Sequence, residues 1–231
     1  MIEAIEVLRG LESAYRPSDE IAEQIAGKNL IAIIGPFAVG KTTLIETVAA
    51  THPDFTEVVS FTTRPPRGSG DRYRFLDHTA DSLSQLVEVV SDGSLVNFTV
   101  HPTTGYAYGT EPSDYRSLHC MLTTTAKSYE SDKMLPFASV RPVVVVASPQ
   151  IWLDRIATRA ERPNELQARL AEAKQSLEWS LDNKDALFVD NSSVVNATAN
   201  NLICTLEYGP SNLRAIRNIA NAMLAACAEL Q

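Results

Sequence analysis

A lysine, a hydroxyl and two glycines at fixed spacing carry the clearest chemistry in this sequence. Gly35, Pro36, Phe37, Ala38, Val39, Gly40, Lys41, Thr42 and Thr43 fit the pattern G-x-x-x-x-G-K-[ST]. The glycines let the main chain curl so that successive N–H groups point inward. A helix opening at the lysine turns its positive end to the same place. Such a cradle suits phosphate: Lys41 reaches the β and γ phosphates, the Thr42 hydroxyl ligates Mg²⁺, and Thr43 donates to the α phosphate. The pattern predicts binding of ATP or GTP with magnesium.

A second group of residues points to another phosphate. "SFTTRPPRGSGDRYRF", Ser60 to Phe75, places Arg64, Arg67, Arg72 and Arg74 within eleven residues of an acidic chain. Pro65 and Pro66 stiffen the peptide between the first two arginines, which lowers the cost of converging both on one anion. The planar guanidinium fork matches phosphate oxygens. Arg64 and Arg67 are the expected clamp, with Arg72 and Arg74 peripheral. A third cluster, Arg155, Arg159, Arg162 and Arg169, brings the two groups to eight of the fourteen arginines. Two clusters of strong phosphate ligands suit transfer between two phosphorylated substrates.

These residues need a scaffold that brings them together. "LIAIIG", Leu30 to Gly35, is a continuous apolar run of strand length, as expected for a strand covered on both faces. "TTLIETVAA" follows as a helix and "TEVVSF" as a second strand, which puts the arginine segment across a cleft from the phosphate loop. Helix is predicted for residues 2–15, from Ser18 to Ala26, for "ADSLSQLVEVVSDG", for Gln150–Arg162 and Pro163–Leu181, for "SSVVNATANNLICTL" and for "GPSNLRAIRNIANAMLAACAEL". "SLVNFTV", "CMLTTT", "PVVVVASP" and "ALFVD" read as strands. Alternating strands and helices imply an α/β fold with a mainly parallel sheet, whose ligands lie beyond the carboxyl ends of the strands.

Composition narrows the classes. The chain has 231 residues, 20 Lys plus Arg against 28 Asp plus Glu, and a formal charge of −8. That balance disfavours sequence-independent nucleic-acid binding, which needs a broad basic surface. Cys120, Cys204 and Cys227 are odd in number and irregularly spaced, so free thiols are expected. No apolar run approaches the ~20 residues that span a bilayer, and the first residues do not read as a secretory signal. A cytoplasmic protein with small-molecule nucleotides as partners, and neither nucleic acid nor membrane, is the expectation.

On these motifs the sequence resembles the guanylate kinase family. "GPFAVGKTTL" is similar to its phosphate loop, "SFTTRPPR" followed by "YRF" to its acceptor-binding segment, and "GYAYGT" at Gly105–Thr110 to its second acceptor motif. "RIATRAERPNELQARL" is similar to its lid and the helix that follows. The resemblance covers roughly residues 30 to 206. It implies a P-loop NTPase three-layer fold, with helices flanking the sheet, a small acceptor-binding subdomain at about 60–110 and a helical lid at about 155–169. The implied division is an N-terminal helical extension at 1–28, the kinase-like domain at 29–207 and a C-terminal helix at 208–231, as monomer or homodimer. By position, Ser60, Arg64, Arg67 and Tyr73 would hold the acceptor's phosphate, Tyr108 would add a contact and Thr110 would touch the base. Lys41, Arg155, Arg159 and Arg169 would act on the transferred phosphoryl group, with ATP as donor and Mg²⁺ at Thr42.

The sequence departs from that family in its acceptor site. The turn "GSGDR" is short. Asn97, or Thr99 if the alignment slips, stands where the family has a base-reading glutamate. "CMLTTT" ends in Thr123, Thr124 and Thr125 where the family has aspartates, for which Glu111 and Asp114 are candidate substitutes. Ala160 replaces the usual lid glycine. Phosphoryl transfer from ATP to GMP is the leading expectation. A kinase of a phosphorylated sugar such as ribose bisphosphate, and a nucleotide-binding module with weakened catalysis, are the alternatives.

Overall fold

The computed structural model describes residues 2–66, 71–101, 104–159 and 163–230. The first half contains α1 (Ile2–Glu12), α2 (Asp19–Ile25), β1 (Asn29–Ile34), α3 (Lys41–Thr51), β2 (Phe55–Glu57), β3 (Phe61–Thr62), β4 (Arg74–Phe75), α4 (Ala80–Ser91), β5 (Asn97–Val100) and β6 (Ala107–Thr110). The second half contains β7 (His119–Thr123), α5 (Ala126–Asp132), β8 (Ser139–Val146), α6 (Pro149–Ala157), α7 (Pro163–Asp182), β9 (Leu187–Asp190), α8 (Val195–Tyr208) and α9 (Leu213–Glu229).

The main sheet is parallel throughout, in the order β2-β7-β1-β8-β9. The apolar run in β1 has the double coverage that its sequence implies. Ile31 and Ile33 enter the large core with α3, α6, α7, α8 and α9, while Ala32 and Ile34 pack on the opposite side with Tyr129. Val143 to Val146 of β8 are fully buried beside it. The strand order reverses at β1, so the crevice at its carboxyl end is where an open parallel sheet binds ligands. The α/β fold expected from the sequence is the one observed.

A second, mixed sheet, in the order β4-β3-β6-β5, builds a separate small subdomain. "TEVVSF", expected as one strand, is divided between the two sheets. β2 pairs with β7, whereas Phe61 and Thr62 of β3 pair with Gly109 and Tyr108 of β6. The reason lies in burial: Val58 packs with the core beneath α2, and Phe61 three residues later packs with α1 and α4. A single straight strand could not serve both.

The terminal helices are part of these cores. Leu8 of α1 is fully buried in the small subdomain, Glu12 accepts a hydrogen bond from Thr99, and the Tyr15 hydroxyl donates to Leu95 O. Ala220, Met223, Ala226 and Cys227 of α9 belong to the main core. The two buried thiols and exposed Cys204 are all free. Among the described residues no helix is long and apolar enough to cross a membrane.

Candidate active site

The phosphate loop has the curled backbone that its glycines permit. Gly35 has φ +146°, and a Cβ there would lie 2.5 Å from Val145 O; Gly40 has φ +98°, and a Cβ would lie 2.4 Å from Asn191 Nδ2. Neither position accepts a side chain without displacement. Ala38 also adopts a left-handed φ of 59°. The loop is held from outside by side chains bonded to its carbonyls: Trp152 Nε1 donates to Phe37 O at 2.8 Å, Arg155 Nη1 to Val39 O at 2.8 Å and Asn191 Nδ2 to Val39 O at 2.9 Å. α3 begins at Lys41, with Thr42 and Thr43 exposed in its first turn.

Lys41 folds back over this loop, donating to Gly35 O at 2.7 Å and Pro36 O at 2.9 Å. Burial lowers its ammonium to about 8; Glu172 opposes the shift, while the guanidinium groups of Arg159 and Arg169 add to it. Two of the expected lid arginines thus act on the charge of the lysine. Arg169 also lies over the Phe37 ring, 5.6 Å from its centroid. Arg155 is placed differently. Its guanidinium spans Val39 O and Asn191 O, so the described contacts are to main chain at the base of the loop. Ala160, Glu161 and Arg162 lie outside the described residues.

Arg64 is only 5% exposed, and its guanidinium forms a two-pronged pair with Asp71 at 2.5 and 2.6 Å. It stacks over Tyr73 at 5.0 Å, and Tyr73 in turn packs on Tyr108 at 5.7 Å. Three of the expected acceptor residues therefore meet, and a carboxylate already occupies the fork that suits a phosphate. Ser60 is nearby in chain and accepts from Arg74 N through its carbonyl; Arg67 lies outside the described residues. Arg72 pairs with Glu46 of α3 and with Glu57, tying the segment to the helix behind the phosphate loop. Arg74 bridges Glu111 and Asp114, both at 3.0 Å. That corrects the reading of Glu111 and Asp114 as substitutes for missing metal-supporting acids: they neutralise Arg74 and close a 3-10 turn at Pro112–Asp114.

Asn97 and Thr110 face each other across β5 and β6. Phe98, Val100 and Ala107 point to the apolar core, so Asn97, Thr110 and Tyr108 share the opposite face. Thr110 Oγ1 donates to Asn97 Oδ1 at 2.8 Å and meets the Tyr115 hydroxyl at 2.9 Å. Asn97 Nδ2 donates to Asp132 Oδ1 at 2.7 Å, and Thr124 Oγ1 to Asp132 Oδ2 at 3.2 Å. Thr124 stands at the end of β7 next to the phosphate loop, where its N–H bonds Ile33 O. "CMLTTT" was expected to be strand to its end, yet β7 stops at Thr123 and Thr125 caps α5 by accepting from Ser128 N. Sequence reasoning missed α5, and with it Asp132; the Thr-x-x-Ser start was the available signal.

No family model matches the chain. The guanylate kinase of Tropheryma whipplei is 32% identical over 160 residues, covering 64% of this chain and 79% of that one. The chain belongs to the guanylate kinase family. The guanylate kinase of Gloeobacter violaceus is 26% identical over 157 residues, 64% of this chain and 73% of that one. The ribose 1,5-bisphosphate phosphokinase of a Ruegeria species is 28% identical over 173 residues, 73% of this chain and 86% of that one. A solved guanylate kinase from Anaplasma phagocytophilum covers 80% of this chain and 87% of its own, at 18% identity and a TM-score of 0.49. Membership in that family makes this chain a guanylate-kinase-like P-loop kinase.

Proposed function

We propose that the protein transfers the γ-phosphoryl group of ATP to the phosphate of a small acceptor, with GMP the favoured acceptor. The observation that carries this reading is Arg64. It is buried, stacked on Tyr73 and already paired in two-pronged fashion with a carboxylate, on a segment tied to the phosphate-loop helix through Arg72 and Glu46. A phosphate offers the same fork a stronger partner.

The chemistry is positioning and charge neutralisation, because a phosphate-oxygen nucleophile needs no strong base. Lys41 leaves the carbonyls of Gly35 and Pro36 for the donor phosphates, and the anion restores its full charge. Arg159 and Arg169 add positive charge as the lid closes, and closure excludes water as a competing acceptor. Thr42 would hold magnesium together with nucleotide oxygens, and the cation supplies further neutralisation of the phosphates. Among the described residues no three His, Cys, Asp or Glu side chains cluster as metal ligands. A hydroxyl as the single protein ligand fits a cation that arrives on the nucleotide. His101 has no role in this scheme; its Nδ1 accepts from Thr104 N.

Asn97 in place of a carboxylate, and the similarity to a ribose 1,5-bisphosphate phosphokinase, favour a second reading in which the acceptor is a phosphorylated sugar. A coupled assay of ADP formation across nucleoside monophosphates and ribose 1,5-bisphosphate separates the two. GMP is expected to give the highest kcat/KM. Turnover of the sugar phosphate alone would select the second reading. Nucleotide binding without ADP formation from any acceptor would leave a binding module and reject the kinase.

A further inference from the structure

Asp132 is 2% exposed, and among the described residues no lysine, arginine or histidine pairs with it. Its hydrogen bonds come from Asn97 and Thr124. Three elements of different origin converge on it: β5 of the acceptor sheet, the end of β7 beside the phosphate loop, and α5. A buried carboxylate held only by neutral donors costs stability, so its retention calls for a use.

The use follows from hydrogen-bond direction. An ionised carboxylate only accepts. Asn97 must therefore turn its nitrogen to Asp132, which forces its carbonyl oxygen toward Thr110. The Thr110 hydroxyl spends its hydrogen on that oxygen, and Tyr115 donates to Thr110 in turn. One lone pair of Asn97 Oδ1 remains, on the sheet face shared with Tyr108. We propose that Asp132 is a positioning residue for acceptor recognition, locking the Asn97 amide so that its carbonyl reads a hydrogen-bond donor on the acceptor. The amide thus presents one of the two oxygens that a glutamate at this position would present. The donor is an N–H of a guanine edge or a hydroxyl of a sugar, and the inference rests on the acceptor site proposed above.

Burial raises the Asp132 carboxyl to about 6, so it is ionised at neutral pH. The titratable group facing it across Thr110 is Tyr115, which burial pushes well above its ordinary value and keeps neutral. Lys133 and Glu130 of its own helix pair with each other, and Asp114 pairs with Arg74.

Asp132→Asn tests the lock, because an asparagine donates as well as accepts and no longer imposes one orientation on Asn97. Acceptor affinity is measured by calorimetry without ATP, and KM by turnover, with GMP and ribose 1,5-bisphosphate in parallel. The acceptor that the wild type uses should lose about fivefold in affinity and KM, with ATP KM and kcat within twofold of wild type. In an Asn97→Ala background the same change should have less than a twofold effect. The exchange Asn97→Asp with Asp132→Asn puts an acceptor-only group at the reading position and should restore the acceptor KM to within twofold. An unchanged acceptor KM in Asp132→Asn, or an equal loss in both backgrounds, would overturn the proposal. A wild type that neither binds nor phosphorylates either acceptor would refute the function itself, and the proposal with it, without any variant being needed.

Discussion

Replacing Asp132 by asparagine should make this protein more stable at neutral pH while weakening its acceptor site. Burial raises the carboxyl from 3.8 to about 6. Between those values the folded chain holds a proton that the unfolded chain has released. Stability is therefore full below about pH 4 and is lost as the pH rises through about 6. A shift of about two units, at about 1.4 kcal/mol each, puts the cost near 3 kcal/mol at pH 7. The amide is neutral, and in either flip its oxygen and nitrogen find partners in the Asn97 amide and the Thr124 hydroxyl, so no group is orphaned. Urea unfolding of both proteins across this range is the assay. The variant should lead by about 3 kcal/mol at pH 7, by roughly half of that at pH 5, and by less than about 1 kcal/mol near pH 4. A variant less stable than wild type at pH 7, or a lead that does not shrink toward pH 4, would refute the reasoning. A stabilising change that raises acceptor KM is the pattern of a residue kept for function at a cost in stability.

Two further outcomes follow from the same site. ATP binding near pH 8 should take up protons, because phosphate restores a Lys41 ammonium that burial had lowered to about 8; calorimetry in buffers of different ionisation enthalpy measures the uptake, and Lys41→Ala should abolish it and weaken ATP binding about 10- to 100-fold. Asp71→Asn should expose an uncompensated buried guanidinium at Arg64 and lower stability by about 3 kcal/mol; inorganic phosphate should then raise Tm more in the variant than in wild type, and an equal shift would mean that Asp71 does not stand in for the acceptor's phosphate.

Much of this site was legible along the chain because its chemistry is local. The phosphate loop needs two glycines, a lysine and a hydroxyl within eight residues, and the structure shows why each glycine is required: Val145 O and Asn191 Nδ2 stand where a Cβ would go. The parallel sheet was equally legible, since Leu30–Ile34 of β1 and Val143–Val146 of β8 are buried on both faces and read as unbroken apolar runs. The division of "TEVVSF" was not, because it depends on which of two cores takes Val58 and which takes Phe61.

The sequence by itself pointed to two phosphate sites, because motif and charge density need no long-range information. Only the tertiary structure decided what those charges do. Arg64 faces Asp71, whereas Arg74, ten residues on, is spent on Glu111 and Asp114. Arg155 braces the loop main chain at Val39, while Arg159 and Arg169 act on the charge of Lys41. The carboxylate that holds the Asn97 amide comes from α5, 35 positions along the chain. A hydrogen bond of that separation depends on how sheet and helix pack, and no spacing rule along the chain can contain it.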